Sequence, residues 1–226
     1  MQYQWDVSNK KTYNNRVGKY KFRQQFEFIL KNGSGKFANI LDIAGGSGRF
    51  ALPLYDYSKN IKVVDIDEEA LSVLLGRNSN INTIAGDFLN VQITDVFSFI
   101  LCIEALGYFE DLDQFFAKID ALMSRDGRFV FMYNNPNSWR FILRKIKHIR
   151  KGAHPYKEVP FKELKSILLR YSFEIVDIKG MNWMPLPLAS NSRLVYLFEF
   201  FEKWLGLSKW HSQSPWLLIS IKKQEH

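Results

Sequence analysis

Three acidic residues, Asp42, Asp65 and Asp87, each stand at the end of a short apolar run of the kind that forms a buried strand. The first of them is followed directly by a glycine-rich turn, residues 44–48, after which a helix is predicted to begin near Arg49. Glycines let the backbone turn tightly and approach a bound molecule closely. This spacing predicts a binding turn for a nucleotide-like cofactor.

The glycine turn by itself leaves two classes of cofactor open. Residues 46–51 satisfy a relaxed dinucleotide fingerprint, and Asp65 stands about 20 residues further on, where a ribose-binding acid is expected. In a dinucleotide site the pyrophosphate rests on the helix N-terminus, so Asp42 would add a negative charge beside the phosphates. S-adenosylmethionine brings an ammonium and a sulfonium instead, which Asp42 attracts directly or through water. A nicotinamide-dependent oxidoreductase is therefore the alternative to a methyltransferase.

The other two acids suit the methyl donor as well. Asp65, at the end of the second predicted strand, can accept hydrogen bonds from both ribose hydroxyls. Asp87 can accept one from the adenine amine, while the ring of Phe88 packs on the base. Acids that end three successive strands favour S-adenosylmethionine.

The stretch Leu41–Gly48 resembles the first motif of the class I S-adenosylmethionine-dependent methyltransferases, which reads apolar-Asp-apolar-Gly-x-Gly-x-Gly. Ala44 departs from it, because it adds a methyl group at the first glycine position. Residues 96–109 resemble the fourth strand of that family, and residues 122–131 resemble the turn into its fifth strand. The resemblance covers residues 37–133 well and the flanks loosely, with a weaker likeness to quinone and small-molecule methyltransferases.

The resemblance implies a donor site that the glycine turn, the ends of the first four strands and an N-terminal helical lid build together. The lid would place Tyr20 or Arg23 near the carboxylate of the donor. The predicted cofactor-binding residues are Asp42, Ala44, Gly45, Gly46, Gly48, Asp65, Ile66, Asp87, Phe88, Ile103, Glu104, Tyr20 and Arg23.

Methyl transfer from a sulfonium is a direct displacement with a good leaving group, so positioning and desolvation supply much of the acceleration. The sequence accordingly predicts no metal site. Two residues are the catalytic candidates. His154 is a candidate because histidine as a residue type titrates near neutral pH, and residues 151–156 loosely resemble the Gly-Thr-His-aromatic turn of quinone O-methyltransferases. Tyr108 follows the fourth strand, on the side where the methyl group is transferred. The acceptor is expected to be small, hydrophobic or anionic, with O- or N-methylation favoured.

Alternating strand and helix patterns predict an α/β fold with a parallel sheet covered on both faces. The resemblance implies a Rossmann-like, doubly wound, seven-stranded sheet with an antiparallel last strand, and with helical insertions after strands 5 and 6. We expect one methyltransferase domain over residues 1–226. Its four parts are a helical lid (1–36), the cofactor-binding core (37–135), a basic helix with the helix after it (136–172), and C-terminal strands with an aromatic insertion (173–226).

Charge is concentrated in one segment of the chain. Between Gly127 and Lys157 stand eight bases and no acid, in a chain whose formal net charge is +8. Residues 138–151 combine these bases with an apolar stripe, which favours peripheral contact with an anionic membrane, or alternatively a solvated helix packed on the domain. A lipid-like acceptor fits this segment, and nucleic acid fits it less well. Two alternative functions therefore remain, a tRNA methyltransferase and a non-catalytic protein that binds S-adenosylmethionine or acts as a membrane adaptor.

Composition agrees with a single enzyme domain, since 46% of the 226 residues are apolar and Cys102 is the only cysteine. The sequence shows no signal pattern and no long apolar run, so we expect a cytoplasmic protein, peripheral at most to the inner face of a membrane. Residues 192–206 are unusually aromatic and carry a predicted apolar stripe. The stripe favours a substrate tunnel, a membrane-facing lid, core packing or a dimer interface. Its members are Leu194, Leu197, Phe198, Phe201 and Leu205.

Overall fold

The structure, a computed structural model, describes residues 13–141 and 159–224. The basic segment beyond residue 141, including His154, lies outside the described residues. The helices are α1 (Arg16–Gly33), α2 (Ala51–Leu54), α3 (Glu68–Arg77), α4 (Leu112–Leu122), α5 (Phe161–Arg170) and α6 (Leu194–Trp204). The strands are β1 (Ile40–Ile43), β2 (Ile61–Asp65), β3 (Asn82–Ala85), β4 (Phe97–Cys102), β5 (Met123–Asn134), β6 (Phe173–Met181) and β7 (Trp216–Lys223).

The strands form one sheet in the order β3-β2-β1-β4-β5-β7-β6. The first five strands pair in parallel, and β7 runs antiparallel between β5 and β6. The prediction of a seven-stranded, Rossmann-like sheet with an antiparallel last strand is confirmed. The strand order reverses between β1 and β4, and ligands of open α/β sheets bind beyond the carboxyl ends of the strands at such a point.

Apolar side chains cover both faces of the sheet, which explains why the central strands read as nearly continuous apolar runs. All four residues of β1 are buried, Asp42 among them. On one face the core is built with α4 and α5, through side chains such as Phe115 and Leu164. On the other face it is built with α1 and α3, through Phe28 and Leu74. The helices therefore pack on both faces of the sheet and fix the position of the strand ends that carry Asp42 and Asp65.

Side-chain caps fix where the helices begin, as short polar residues do at helix N-termini. Asn15 accepts a hydrogen bond from the backbone N–H of Gly18 at 2.9 Å, and this bond starts α1. Asp67 accepts from the backbone N–H of Ala70 at 3.0 Å, and starts α3 two residues after Asp65. Each cap sets the direction in which the following helix leaves the sheet edge.

The aromatic helix α6 packs with the face opposite to the one that its apolar stripe suggests. Its buried residues are Val195, Glu199 and Glu202, whereas most of the predicted stripe is exposed. Only Phe198 of that stripe packs partly against the small cluster of Val17, Tyr20, Met184 and Val195. The expectation that the stripe lines the core or a tunnel is therefore wrong for Leu194, Leu197, Phe201 and Leu205.

Candidate active site

The glycine turn after β1 requires backbone conformations that most residues avoid. Gly46 and Gly48 have φ angles of +51° and +83°, in the left-handed region that glycine adopts without steric cost. A Cβ atom at Gly48 would lie 2.4 Å from Cδ1 of Leu74, and one at Gly45 would lie 2.7 Å from Cγ of Asp42. Ala44 also has a positive φ, 55°, so its methyl group is accepted at a strained position.

Asp42 lies beneath this turn, 2% exposed, and its Oδ2 atom has no hydrogen-bond partner in the structure. Burial, together with the nearby charge of Asp65, raises the pKa of Asp42 to about 8. An unpartnered, buried carboxyl beside a glycine turn is suited to a cationic group, because a positive charge would supply the missing partner.

Asp65 ends β2 and holds the turn from the other side. Its Oδ2 atom accepts a hydrogen bond from the backbone N–H of Gly46 at 2.7 Å, and its Oδ1 atom accepts from Asp67 N–H at 2.9 Å. Burial raises its pKa above the ordinary value, although these two bonds oppose the shift. The neighbouring Ile66 is 71% exposed, so a large apolar side chain stands open beside the acid predicted to bind ribose.

Asp87 follows β3 and is exposed at the same edge of the sheet. It accepts hydrogen bonds from the backbone N–H of Leu89 at 3.0 Å and from Nδ2 of Asn90 at 2.6 Å. Phe88, by contrast, is only 3% exposed, and its ring centroid lies 5.5 Å from that of Phe115 in the core. The packing of Phe88 on adenine stays a prediction.

Glu104, directly after β4, is the centre of a cluster of charged and polar side chains. It accepts hydrogen bonds from Nζ of Lys21 at 3.2 Å, Nε2 of Gln25 at 2.8 Å, Nη1 of Arg49 at 2.9 Å and the hydroxyl of Tyr13 at 3.2 Å. Burial alone would raise the pKa of Glu104, but the charges of Lys21 and Arg49 hold it well below its usual range. The cluster therefore keeps two cations and one anion beside the glycine turn.

The two cations of this cluster are held by aromatic rings as well as by Glu104. Nζ of Lys21 lies 4.6 Å from the ring centroid of Trp216, and the guanidinium of Arg49 lies 4.1 Å from that of Tyr13. Lys21 is 1% exposed, and burial lowers its pKa even though Glu104 opposes the shift. A ligand that carries both an ammonium and a carboxylate would find charges of both signs here.

Sequence reasoning missed Lys21, Gln25 and Arg49. A signal was available in the spacing along α1. Lys21 and Gln25 share one side of the helix with Val17 and Phe28, which are buried apolar residues. A polar residue on a core-facing stripe points to a partner inside the protein. Arg49 gave no comparable signal, since it stands alone after the glycines.

The two residues predicted from the lid, Tyr20 and Arg23, contact α6 instead of the glycine turn. The hydroxyl of Tyr20 donates to Glu202, and the guanidinium of Arg23 pairs with Glu199. Their role in cofactor binding stays a prediction, and Lys21 and Gln25 are the side chains by which α1 reaches the turn.

Three of the remaining predicted residues, Ile103, Glu104 and Tyr108, follow β4 in the chain. Ile103 is 8% exposed and precedes Glu104, which has a positive φ of 64° that turns the chain back over the strand end. Tyr108 ends a short 3-10 turn and is 38% exposed. Burial raises the pKa of the Tyr13 phenol, with Glu104 adding to the shift and Tyr108 adding least. His154 is outside the described residues, so its catalytic role is not tested.

Each of these features fits a different part of one cofactor. The orphaned oxygen of Asp42 and the carboxylate of Glu104 suit an ammonium and a sulfonium, while Lys21 and Arg49 suit a carboxylate. Asp65 stands where a ribose would be held. Together with the sheet order, this arrangement defines a methyltransferase domain over residues 41–131, whose cofactor is S-adenosylmethionine and whose product is S-adenosylhomocysteine.

Comparison with known families agrees with this assignment. Residues 41–131, which run from β1 through β5, match the family model described as "Methyltransferase domain". The matched range contains Asp42, Asp65, Asp87 and Glu104. No curated protein matches the sequence.

Solved structures share the fold over nearly the whole chain. The N-methyltransferase NodS from Bradyrhizobium japonicum WM9, in complex with S-adenosyl-L-homocysteine, has a TM-score of 0.65 at 17% identity, covering 94% of this chain and 90% of that one. Magnesium protoporphyrin IX methyltransferase (ChlM) from Synechocystis PCC 6803, with bound SAH, has a TM-score of 0.67 at 12% identity, covering 99% and 90%. Protein PH0226 from Pyrococcus horikoshii OT3 has a TM-score of 0.68 at 17% identity, covering 97% and 98%.

Proposed function

We propose that this protein methylates an oxygen or nitrogen atom of a small acceptor that carries an anionic group, and that the acceptor binds beyond β5 and β6. The observation that carries this proposal is the buried amide of Asn182. That residue is 1% exposed, and neither Oδ1 nor Nδ2 has a hydrogen-bond partner in the structure. A buried amide without partners is costly, so a ligand that satisfies it gains affinity.

Other unpartnered polar atoms lie at the same edge of the sheet. Asn134 ends β5 and Met181 ends β6, and both residues pair with Trp216 of the strand between them. Oδ1 of Asn134 and Nε1 of Trp183 are buried and, like the amide of Asn182, have no hydrogen-bond partner among residues 13–141 and 159–224. An acceptor at this edge would meet hydrogen-bonding groups from two strand ends.

The positive charge of Arg140 favours an anionic group on the acceptor. Arg140 donates through Nη1 to the backbone carbonyl of Asn182 at 3.4 Å and through Nη2 to that of Leu186 at 2.5 Å. Burial lowers its pKa, and within residues 13–141 and 159–224 no carboxylate pairs with it.

This arrangement assigns catalysis mainly to positioning. The bound S-adenosylmethionine supplies an electrophilic methyl group, and the side chains of the protein hold the acceptor in line and exclude water. Asn182 and Arg140 would orient the acceptor, while Glu104 keeps Lys21 and Arg49 in place on the donor side. Tyr108 and His154 stay the candidates for receiving the proton of a hydroxyl or amine acceptor.

Matched acceptor pairs test this proposal. Release of S-adenosylhomocysteine would be followed with 4-hydroxybenzoate against phenol and with 4-aminobenzoate against aniline, since each pair differs only by a carboxylate. We expect the carboxylate-bearing member to have a kcat/KM about tenfold higher or more, as a charge-assisted contact is worth roughly 1.5–3 kcal/mol. Arg140→Gln should abolish this preference and leave the affinity for S-adenosylhomocysteine unchanged. Equal rates within each pair, or faster neutral acceptors, would contradict the proposal.

A further inference from the structure

Helix α6 exposes its apolar side and buries its acids. Glu199 is 8% exposed and pairs with Arg23, while Glu202 is 7% exposed and accepts a hydrogen bond from Tyr20. Gln24 adds a hydrogen bond to Glu199 at 3.5 Å. These contacts with α1 fix the rotation of α6 about its own axis, so the apolar side faces away from the protein.

The outward side forms a continuous apolar face, which we call the α6 face. Because residues three and four positions apart share one side of a helix, its members line up along the helix. They are unusually exposed for apolar side chains: Trp204 is 70% exposed, Phe200 59%, Tyr196 58% and Leu205 52%. Trp210, 60% exposed, extends the face past the end of the helix. The full set is Leu194, Tyr196, Leu197, Phe200, Phe201, Trp204, Leu205 and Trp210.

The exposed charged residues in the segment that carries the α6 face are all bases. Within residues 185–215 the acids are Glu199 and Glu202, and both are buried against α1. Three bases in the same segment, Arg193, Lys203 and Lys209, are exposed. The chain as a whole carries a formal net charge of +8. An apolar face bordered by bases, with its acids turned inward, is complementary to a surface that is apolar inside and anionic at its boundary.

We propose that the α6 face is a membrane-docking surface, which lies flat in the headgroup region of a bilayer that contains anionic phospholipid. Interfacial helices combine Trp, Phe and Leu on the buried side with Lys and Arg at the border, as α6 does. Among the described helices none is long and apolar enough to cross a bilayer, so α6 would rest on the membrane and not span it. Its 11 residues measure about 16 Å along the axis, which suits contact with a few lipids.

A second copy of the chain fits the α6 face less well. A two-fold interface places the same patch of both copies in contact. The exposed bases Arg193 and Lys209 would then face their own counterparts with no exposed acid in the segment to neutralise them, whereas Lys203 is already paired with Glu199. Anionic headgroups neutralise the same bases, and for this reason the lipid surface is the occupant proposed.

Vesicle co-sedimentation tests the proposal on the full-length protein. One set of vesicles contains phosphatidylcholine alone, and the other contains phosphatidylcholine mixed with phosphatidylglycerol. We expect the wild-type protein to sediment with the mixed vesicles, with a blue-shifted tryptophan emission as Trp204 and Trp210 leave water. The double variant Phe200→Gln/Trp204→Gln should lower the partition coefficient about tenfold or more, because the two most exposed aromatic side chains of α6 lose their rings.

Two control variants separate the α6 face from general properties of the chain. Leu169→Gln replaces a side chain that is 66% exposed on α5, and it should bind vesicles like the wild type. Lys209→Glu should weaken binding to the mixed vesicles, whereas Lys162→Glu, exposed on α5, should weaken it much less. All four variants are expected to keep the wild-type affinity for S-adenosylhomocysteine, so this test is independent of the methyltransferase assignment and of the proposed acceptor.

Three results would overturn the proposal. The first is a wild-type protein that stays in the supernatant with both kinds of vesicle. The second is a double variant that sediments like the wild type. The third combines two observations: sedimentation velocity shows a lipid-free dimer that the double variant does not form, and the wild type does not bind vesicles. That result would assign the α6 face to a second copy of the chain.

Discussion

Asp42 is a buried carboxyl group in which one oxygen, Oδ2, has no hydrogen-bond partner among the described residues. With its pKa raised to about 8 by burial and by Asp65, it is mostly protonated at pH 7 in the free protein. A cationic group placed beside its unpartnered Oδ2 atom favours the carboxylate and lowers this pKa. Ligand binding is therefore coupled to loss of a proton.

The first prediction is that S-adenosylhomocysteine releases a large fraction of one proton when it binds at pH 7. Calorimetric titrations in two buffers with different ionisation enthalpies measure this release. Asp42→Asn should remove it, because an amide has no proton to lose in this range, and adenosine, which lacks the ammonium, should release little with the wild-type protein. The same buffer dependence in Asp42→Asn and in the wild type would show that the proton comes from another group.

At the residue scale, the sequence allowed prediction of features that are local along the chain. Asp42 and Asp65 could be found because an acid, a strand end and a glycine turn stand within a few positions of each other. The cluster around Glu104 joins residues 55 to 91 positions away from it, namely Arg49, Gln25, Lys21 and Tyr13. Only the fold brings such distant positions together, so sequence reasoning placed Glu104 at the site without its partners.

At the element scale, the glycine turn has to keep a conformation that side chains oppose. Gly48→Ala should lower the free energy of unfolding by roughly 1–3 kcal/mol, because the added Cβ would meet Leu74 at 2.4 Å on a backbone with φ of +83°. Gly76→Ala is the matched control. It lies in α3, where a Cβ would meet nothing within 4 Å, and alanine should stabilise the helix by up to about 1 kcal/mol.

Urea denaturation of both variants checks this second prediction. Stabilisation by Gly48→Ala, or equal effects of the two substitutions, would mean that the turn tolerates a side chain at Gly48 and that the strain assigned to it is absent.

The contact between α1 and α6 should depend on pH. Burial raises the pKa of Glu202 to about 7, above its ordinary value of 4.5, despite the hydrogen bond from Tyr20. The folded state then binds more protons than the unfolded state between those values. Glu202 therefore contributes to the stability of the folded state in full below about pH 4.5. This contribution is lost as the pH rises through 7, which lowers the free energy of unfolding by up to roughly 3 kcal/mol.

Glu202→Gln tests this third prediction, because it keeps an acceptor for the Tyr20 hydroxyl and cannot ionise. Between pH 5 and pH 8 the free energy of unfolding should fall more for the wild type than for the variant. Asp42, whose pKa is also raised, contributes equally to both proteins and cancels in the difference. Parallel pH profiles would show that Glu202 does not govern this dependence.

Helix α6 also shows what periodicity leaves undetermined. The spacing of its apolar residues correctly predicted an amphipathic helix, but an apolar stripe does not specify which side meets the protein. Here the partners offered by α1 are Tyr20, Arg23 and Gln24, and these polar groups attract the acidic side of α6. The pairing of two polar surfaces decided the orientation, and neither segment indicates it alone.

At the scale of the whole molecule, the fold was predictable because each strand, turn and helix signal supported the same alternating order. The confirmed sheet places the carboxyl ends of β1, β2 and β4 together, with Asp42, Asp65 and Glu104 at or just beyond them. The acceptor was not predictable in the same way, because Asn182 and Arg140 come from two distant segments whose meeting depends on the packed structure.

The central claim is that this edge of the sheet binds S-adenosylmethionine through Asp65. The most direct measurement is a calorimetric titration of the purified protein with S-adenosylhomocysteine, beside an Asp65→Ala variant and an NADH control. We predict clear binding to the wild type, affinity about tenfold or more weaker in the variant through loss of charge-assisted hydrogen bonds to the ribose, and no binding of NADH. Binding of NADH without binding of S-adenosylhomocysteine would contradict the account.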